Sequence, residues 1–349
     1  MQKLKRVINI IILSIIIFFV VIISGSWVYH TITMKKEIAS TPAPGILIDV
    51  NGHSMHVYTE GDGEHTLVFL SGAGTSAPML DFKPLWSELS PAYTIAVVEK
   101  AGYGWSEKAD VSREIDIILE ESRTALRLAD VRPPYVLTAH SMSGLEAIRW
   151  TQKYPEEVEA IIGLDPAIPA VYKVLPLPSL PTKLAATVFA HTGLIRLVPS
   201  IVNSSAVIES GYLPAEDIAT YRSLFYRRTL TSNMLEEMKQ VRANAEKVAQ
   251  EGIPIEVPMY FFISDGNEIG IPNWREILSA YIGHLDRGQF LYLDVGHYVH
   301  AWEPGLIAEE IDTFLRRQIK SASYREEDND GRTFFNYGYR TRKGFEKLF

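Results

Sequence analysis

The sequence contains no cysteine. Disulfides, thiolate metal sites and a cysteine nucleophile are therefore excluded, while an oxidising exterior remains permitted. Positive charge is also in short supply: 34 Lys and Arg stand against 42 Asp and Glu, for a formal net charge of −8. That balance argues against nucleic acid as the main partner. Signals for other chemistries are missing too. The Gly-rich stretch Ser71-Gly72-Ala73-Gly74-Thr75 is not followed by the lysine of a phosphate-binding loop, and Gly102-Tyr103-Gly104 is not followed at once by a helix. His297 and His300 lack an H-E-x-x-H pattern or clustered carboxylates. No metal and no cofactor are expected.

One long hydrophobic run is present. Lys3, Lys5 and Arg6 precede residues 7–29, an uncharged stretch rich in Ile, Val and Phe. As a helix rising 1.5 Å per residue it is roughly 30–35 Å long, enough to cross a bilayer. A cleavable signal peptide is the rival, with Ser24 and Ser26 as small residues near a cleavage point, but such an apolar core is usually shorter. The expectation is a single-pass anchor over residues 1–30, N-terminus cytoplasmic and the remainder extracytoplasmic; the alternative is secretion after cleavage. Residues 31–45, with Thr41-Pro42-Ala43-Pro44-Gly45 and no apolar period, read as a stalk.

Beyond residue 45 apolar runs alternate with amphipathic segments. Residues 46–50 and 53–60 flank Asn51-Gly52, a hairpin signature. His53 and His56 fall on the second of these strands; at that spacing they point to opposite faces, and exposed strand histidines are expected rather than metal ligands. Residues 66–70 (TLVFL), 93–98 (YTIAVV), 135–138 (YVLT), 158–164, 258–263 and 290–293 suit buried strands. Residues 112–130 form a strongly amphipathic helix pattern. The implied architecture is α/β, a mostly parallel sheet covered by helices, spanning residues 46–320. Between about 166 and 257 the pattern becomes helical and proline-rich, with no clear strand, and reads as a helical cap inserted into the domain. Residues 321–349 start acidic and end basic and aromatic, a polar and aromatic tail.

Chemistry concentrates where strands end. Ala139-His140-Ser141-Met142-Ser143-Gly144 lies between a strand and the helical run LEAIRWTQKY. A serine with small residues two before and two after suits a sharp turn that presents its hydroxyl; the plainer reading is a serine capping a helix. Ser141, Asp265 and His297 each follow a different strand, in the order nucleophile, acid, base. Asp265 is the expected acid, with Glu268 and Asp165 as alternatives, and His300 is the rival base.

The segments VFLSGAG, EKAGYGWSE, TAHSMSG, IIGLDP and VGHYVHAWEP resemble those of the α/β-hydrolase superfamily over about residues 46–319. Ser71 stands where many relatives have histidine, Glu99 where they have aspartate, and Ala139 and Ser143 where they have glycine. The resemblance implies oxyanion donors at the backbone N–H groups of Ala73 and Met142. It implies a serine hydrolase acting through an acyl-enzyme on a small-molecule, ester-like substrate. An amidase or aminopeptidase of the same fold is the alternative, for which a cap acid such as Glu209, Glu216 or Asp217 would have to meet a substrate amine. A membrane-tethered binding protein without catalysis is the reading from a different class. The sequence carries no indication of oligomeric state.

Overall fold

The computed structural model describes residues 2–176 and 179–327, with side chains as far as Gln318. It divides into two compact units, residues 1–311 and 312–349.

The first unit is built on an eight-stranded sheet in the order β1-β2-β4-β3-β5-β6-β7-β8. The strands are β1 (Ile46–Val50), β2 (His53–Glu60), β3 (Thr66–Leu70), β4 (Thr94–Glu99), β5 (Tyr135–His140), β6 (Val158–Leu164), β7 (Met259–Ile263) and β8 (Gly288–Tyr292). The β1–β2 hairpin turns at Asn51-Gly52 and joins β4 in antiparallel fashion; β4 through β8 pair in parallel. The central strands β5 and β7 are buried along their whole length, as a sheet covered on both faces requires. Edge strand β8 is only half buried.

The helices are α1 (Gln2–Ser40), α2 (Pro78–Asp81), α3 (Lys83–Leu89), α4 (Ile115–Leu128), α5 (Gly144–Lys153), α6 (Leu180–His191), α7 (Ser200–Asn203), α8 (Ala206–Glu209), α9 (Ala215–Arg228), α10 (Ser232–Gln250), α11 (Trp274–Ile282), α12 (Val299–Trp302) and α13 (Pro304–Glu327). Helix α4 turns Ile115, Ile118, Leu119, Ala125 and Leu126 inward, the face its sequence period marks. Five helices, α6 to α10, occupy the chain between β6 and β7. They bond to loops at the strand ends: Arg228 Nε donates to Gly104 O at 2.6 Å, and Lys100 Nζ reaches Glu237 Oε1 at 2.6 Å.

Three expectations change. The stalk over residues 31–45 is largely helix, because α1 continues without a break to Ser40. Its Met, Lys, Glu and Ala residues are good helix formers, and Glu37 is held by Arg196 at 2.6 Å. His53 and His56 are buried, not exposed. They do point apart, but each finds its own carboxylate: His53 lies 3.4 Å from Glu121 on α4, and His56 Nδ1 lies 2.9 Å from Glu99 Oε2. The expected tail starts inside α13, and the remainder of it, residues 328–349, lies outside the described residues.

In the second unit the described chain is the rest of α13, where Arg316 Nε donates to Asp312 Oδ2 at 2.7 Å one turn away.

Candidate active site

Ser141 sits directly after β5, at the start of a tight turn that leads into α5, and takes φ of +55°. A non-glycine residue in this region is strained and is held only by its surroundings. Two contacts hold it. Ala167 N–H donates to Ser141 O at 2.7 Å, and Ser143 Oγ donates to Leu70 O at 2.6 Å and to His140 O at 2.8 Å. The second small flank is thus a serine whose hydroxyl ties the turn to the end of β3. Gly72, in the loop after β3, lies so close that a Cβ there would stand 2.7 Å from Ser141 Cβ. Only glycine admits that approach, and it brings the loop carrying Ala73 alongside the serine.

His297 follows β8. Its Nδ1 lies 2.6 Å from Asp165 Oδ2, a short hydrogen bond to a carboxylate. Asp165 is fully buried and takes φ of +50° at the end of β6. Its carboxylate also accepts Ser264 N–H at 2.8 Å, Ser264 Oγ–H at 2.7 Å and Trp274 Nε1–H at 2.7 Å. With His297 these donors occupy both oxygens, which satisfies the carboxylate without exposing it to water.

The expected acid, Asp265, is not the one on the imidazole. It accepts Asn267 N–H and Asn267 Nδ2–H, both at 2.9 Å, closing a local turn. Glu268 does reach His297, but at the backbone, accepting its N–H at 2.9 Å. The sheet order explains the difference. The residue after β6 is buried under α11, where the Trp274 indole and the Ser264 hydroxyl converge on it, whereas Asp265 lies one residue beyond Ser264 and turns toward its own loop.

The other histidines have separate places. His140 is fully buried, and its Nε2 lies 3.3 Å from His297 O. Its ring centroid stands 4.7 Å from that of His297. Burial first, then the neighbouring His297 and His300, holds its pKa well below the ordinary imidazole value. His300 is buried against Phe82 and His140, and burial followed by the His297 charge pushes it down to about 3. Both are neutral; His140 packs on His297, and His300 packs on His140.

A second buried cluster joins the strand-end loops to the inserted helices. Lys100 Nζ contacts Glu146 Oε1 and Glu237 Oε1, each at 2.6 Å, and Tyr103 OH donates to Glu237 Oε2 at 2.8 Å. Burial alone would lower the lysine pKa, but the two carboxylates outweigh it and the net shift is upward. Asp81, on α2, is fully buried and accepts Tyr221 OH at 3.3 Å. Burial pushes its pKa up to about 8, against the opposing bonds from Tyr221 and the Ala77 backbone. Sequence reasoning missed both clusters because their members come from distant segments. Of the candidate amine-binding acids, Asp217 pairs with Lys83 at 2.5 Å, and Glu209 and Glu216 are exposed.

No protein-family model matches the chain. The Bacillus subtilis uncharacterized protein YbdG is 33% identical over 325 residues, covering 91% of this chain and 99% of YbdG. A crystal structure of a putative lipase from Acinetobacter baumannii superposes with a TM-score of 0.61 at 16% identity, covering 84% of this chain and 97% of that one. The chain belongs to the same family as YbdG, and it has the α/β-hydrolase fold. The 2-(acetamidomethylene)succinate hydrolase of Mesorhizobium japonicum is 26% identical over 132 residues, 38% of this chain and 46% of that protein. In this α/β-hydrolase fold the strand-end loops after β3, β5, β6 and β8 supply Gly72, Ser141, Asp165 and His297, so the site stands at the carboxyl edge of the parallel strands.

Proposed function

We propose that the protein is a membrane-anchored serine hydrolase that cleaves carboxylic esters through Ser141, His297 and Asp165. The observation that carries this reading is the 2.6 Å contact between His297 Nδ1 and the buried Asp165 carboxylate, next to a serine held at positive φ. Asp165 fixes the imidazole with its proton on Nδ1, leaving Nε2 free to take the Ser141 proton. Ser141 Oγ then attacks the ester carbonyl. The backbone N–H groups of Ala73 and Met142 stabilise the oxyanion, a contribution of roughly 10²–10³ in rate for each donor. Collapse of the tetrahedral species expels the alcohol, protonated by His297, and leaves an acyl-serine. Water, deprotonated by His297, attacks that ester and releases the acid, and the serine regains its proton. In this reading α6 to α10 form a cap that shapes the acyl pocket and excludes water.

Helix α1 supports the anchor. It is long and apolar enough to cross a membrane, and none of its most apolar stretch is buried. We place the hydrolase domain on the extracytoplasmic side, as the charges ahead of the apolar run favour.

A fluorophosphonate probe, which phosphonylates only an activated serine, tests the assignment. Wild type should be labelled at Ser141 and the Ser141→Ala variant should not, with unchanged melting temperature. A folded wild type that resists labelling would replace this reading with a tethered binding protein. A panel of esters and amides then settles the bond cleaved; the Mesorhizobium enzyme's named substrate carries an acetamido group, so amides belong in the panel.

A further inference from the structure

The apolar run of α1 ends where the helix meets the inserted helices. His30 is buried, and Gly193, at φ +77°, lies so close that a Cβ would run into the His30 side chain and stand 3.1 Å from Ser26 O. One turn on, Arg196 is almost wholly enclosed. Its Nε donates to His30 Nδ1 at 2.8 Å, its Nη atoms donate to Glu37 at 2.8 and 2.6 Å, and its guanidinium stacks 4.4 Å over the Tyr226 ring. The junction between α6 and the turn Leu194–Leu197 is therefore clamped to α1 where the apolar run ends, between Ser26 and Glu37. Trp27 and Tyr29, exposed on α1 beside this clamp, are residue types that settle at the headgroup level of a bilayer. The clamp accordingly lies at the depth of the lipid–water boundary.

From this junction extends an apolar surface. Leu180, Leu184 and Val188 recur every fourth residue along α6 and are 78%, 62% and 43% exposed. Residues at that spacing share one face of a helix. Leu197 (62%) and Ile201 (39%) are further exposed apolar residues in the chain just after the clamp. At 1.5 Å per residue α6 reaches about 18 Å from the anchoring point. An apolar stripe on a helix fixed at the bilayer surface has the form of an interfacial helix that buries one face among headgroups and upper acyl chains.

We infer that this stripe of Leu180, Leu184, Val188, Leu197 and Ile201 is a docking surface for the lipid bilayer, holding the cap of the hydrolase in the interface. The inference rests on the reading of α1 as a membrane anchor. The occupant is lipid because the segment that carries the stripe is joined to the end of the apolar run of α1 through Gly193 and Arg196. Its consequence is a substrate class: esters with an apolar acyl or alkyl chain that reside in the same leaflet, reaching the cap without crossing water.

The cysteine-free sequence allows a direct test. Full-length protein carrying single substitutions Leu13→Cys, Leu184→Cys, Leu197→Cys or Lys239→Cys is reconstituted in phosphatidylcholine–phosphatidylglycerol vesicles and spin-labelled. Collisions with oxygen, which concentrates in lipid, are compared with collisions with a water-soluble nickel chelate. Labels at positions 184 and 197 should favour oxygen, as the label at 13 does, while Lys239, an exposed residue of α10, favours nickel. Aqueous labels at 184 and 197 with a lipid-buried label at 13 would overturn the docking surface and leave the anchor standing. An aqueous label at 13 would overturn both. In kinetics, the double variant Leu184→Asp/Leu197→Asp should lose about tenfold in kcat/KM toward a long-chain nitrophenyl ester embedded in vesicles, and keep its rate on soluble nitrophenyl acetate. Equal effects on the two substrates would also overturn it.

Discussion

Replacing Asp165 by Asn changes one carboxylate oxygen into an NH₂ group and leaves volume and shape almost intact. The surroundings decide which oxygen is lost. Oδ1 receives Ser264 N–H and Trp274 Nε1–H, two groups that can only donate. An NH₂ group there would face two donors in a buried site. Oδ2 faces Ser264 Oγ, which can rotate to accept, and His297 Nδ1, which can accept in its other tautomer. The amide therefore orients its nitrogen toward His297, the imidazole moves its proton to Nε2, and in the proposed mechanism it can no longer take the Ser141 proton. Loss of the correct tautomer in a serine triad costs about 10⁴ in kcat, or about 5.5 kcal/mol of transition-state stabilisation. The assay is the rate of fluorophosphonate labelling with hydrolysis of a nitrophenyl ester, compared among Asp165→Asn, Asp265→Asn and Glu268→Gln. Asp165→Asn should fall by three to four orders of magnitude at unchanged melting temperature. Asp265→Asn should stay within about a factor of three of wild type, since it keeps an oxygen for the local turn. Comparable losses in Asp165→Asn and Asp265→Asn, or a mild effect of the former, would refute the assignment of the acid.

Gly72→Ala should cut turnover by about a hundredfold or more, because the new Cβ would stand 2.7 Å from Ser141 Cβ and push the oxyanion loop out of place; steady-state kinetics beside a circular dichroism spectrum checks that the loss is local. Lys100→Met leaves Glu146 and Glu237 facing one another without their cation, and a buried pair broken on one side costs about 3–5 kcal/mol, read from urea denaturation. Asp81 has its folded pKa raised to about 8, above an unfolded value of about 3.9. The folded state thus binds more protons than the unfolded state between those values, and the stability contributed by the neutral acid falls as pH rises from about 4 to 8. Asp81→Asn keeps an acceptor for Tyr221 and should flatten that part of the stability–pH curve, gaining a few kcal/mol over wild type at pH 8–9 at about 1.4 kcal/mol per pH unit; an unchanged slope would show that Asp81 is ionised in the fold.

The sheet, the strand-end position of Ser141 and the loop carrying His297 were legible because they depend on local signals: unbroken apolar runs, a small-residue turn, and glycine before the histidine. The acid was not. Asp165 and Asp265 both follow a buried strand, and the feature that separates them, the convergence of Ser264 and Trp274 on one carboxylate, exists only after β6, β7 and α11 have packed. Asp165-Pro166 also reads as an ordinary turn, which masked it. His53 and His56 were misjudged for a similar reason, since their partners Glu121 and Glu99 lie far along the chain and convert two polar strand residues into buried ones. The helical course of residues 31–40 had a local signal in its Met, Lys, Glu and Ala residues, but the grip of Arg196 on Glu37 has no trace in local sequence.

Strand β8 lies at the edge of the sheet and is half buried, yet the loop after it carries His297, the proposed general base. His297 is gripped at its ring by a residue from the end of β6 and at its backbone by Glu268 from the loop after β7. The base therefore inherits the local stability of interior strands, while β8 belongs to the part of the sheet that opens first. Amide exchange would then be faster along β8 than along β5 and β7, and warming would fray the margin of the sheet before it separated the His297 ring from Asp165.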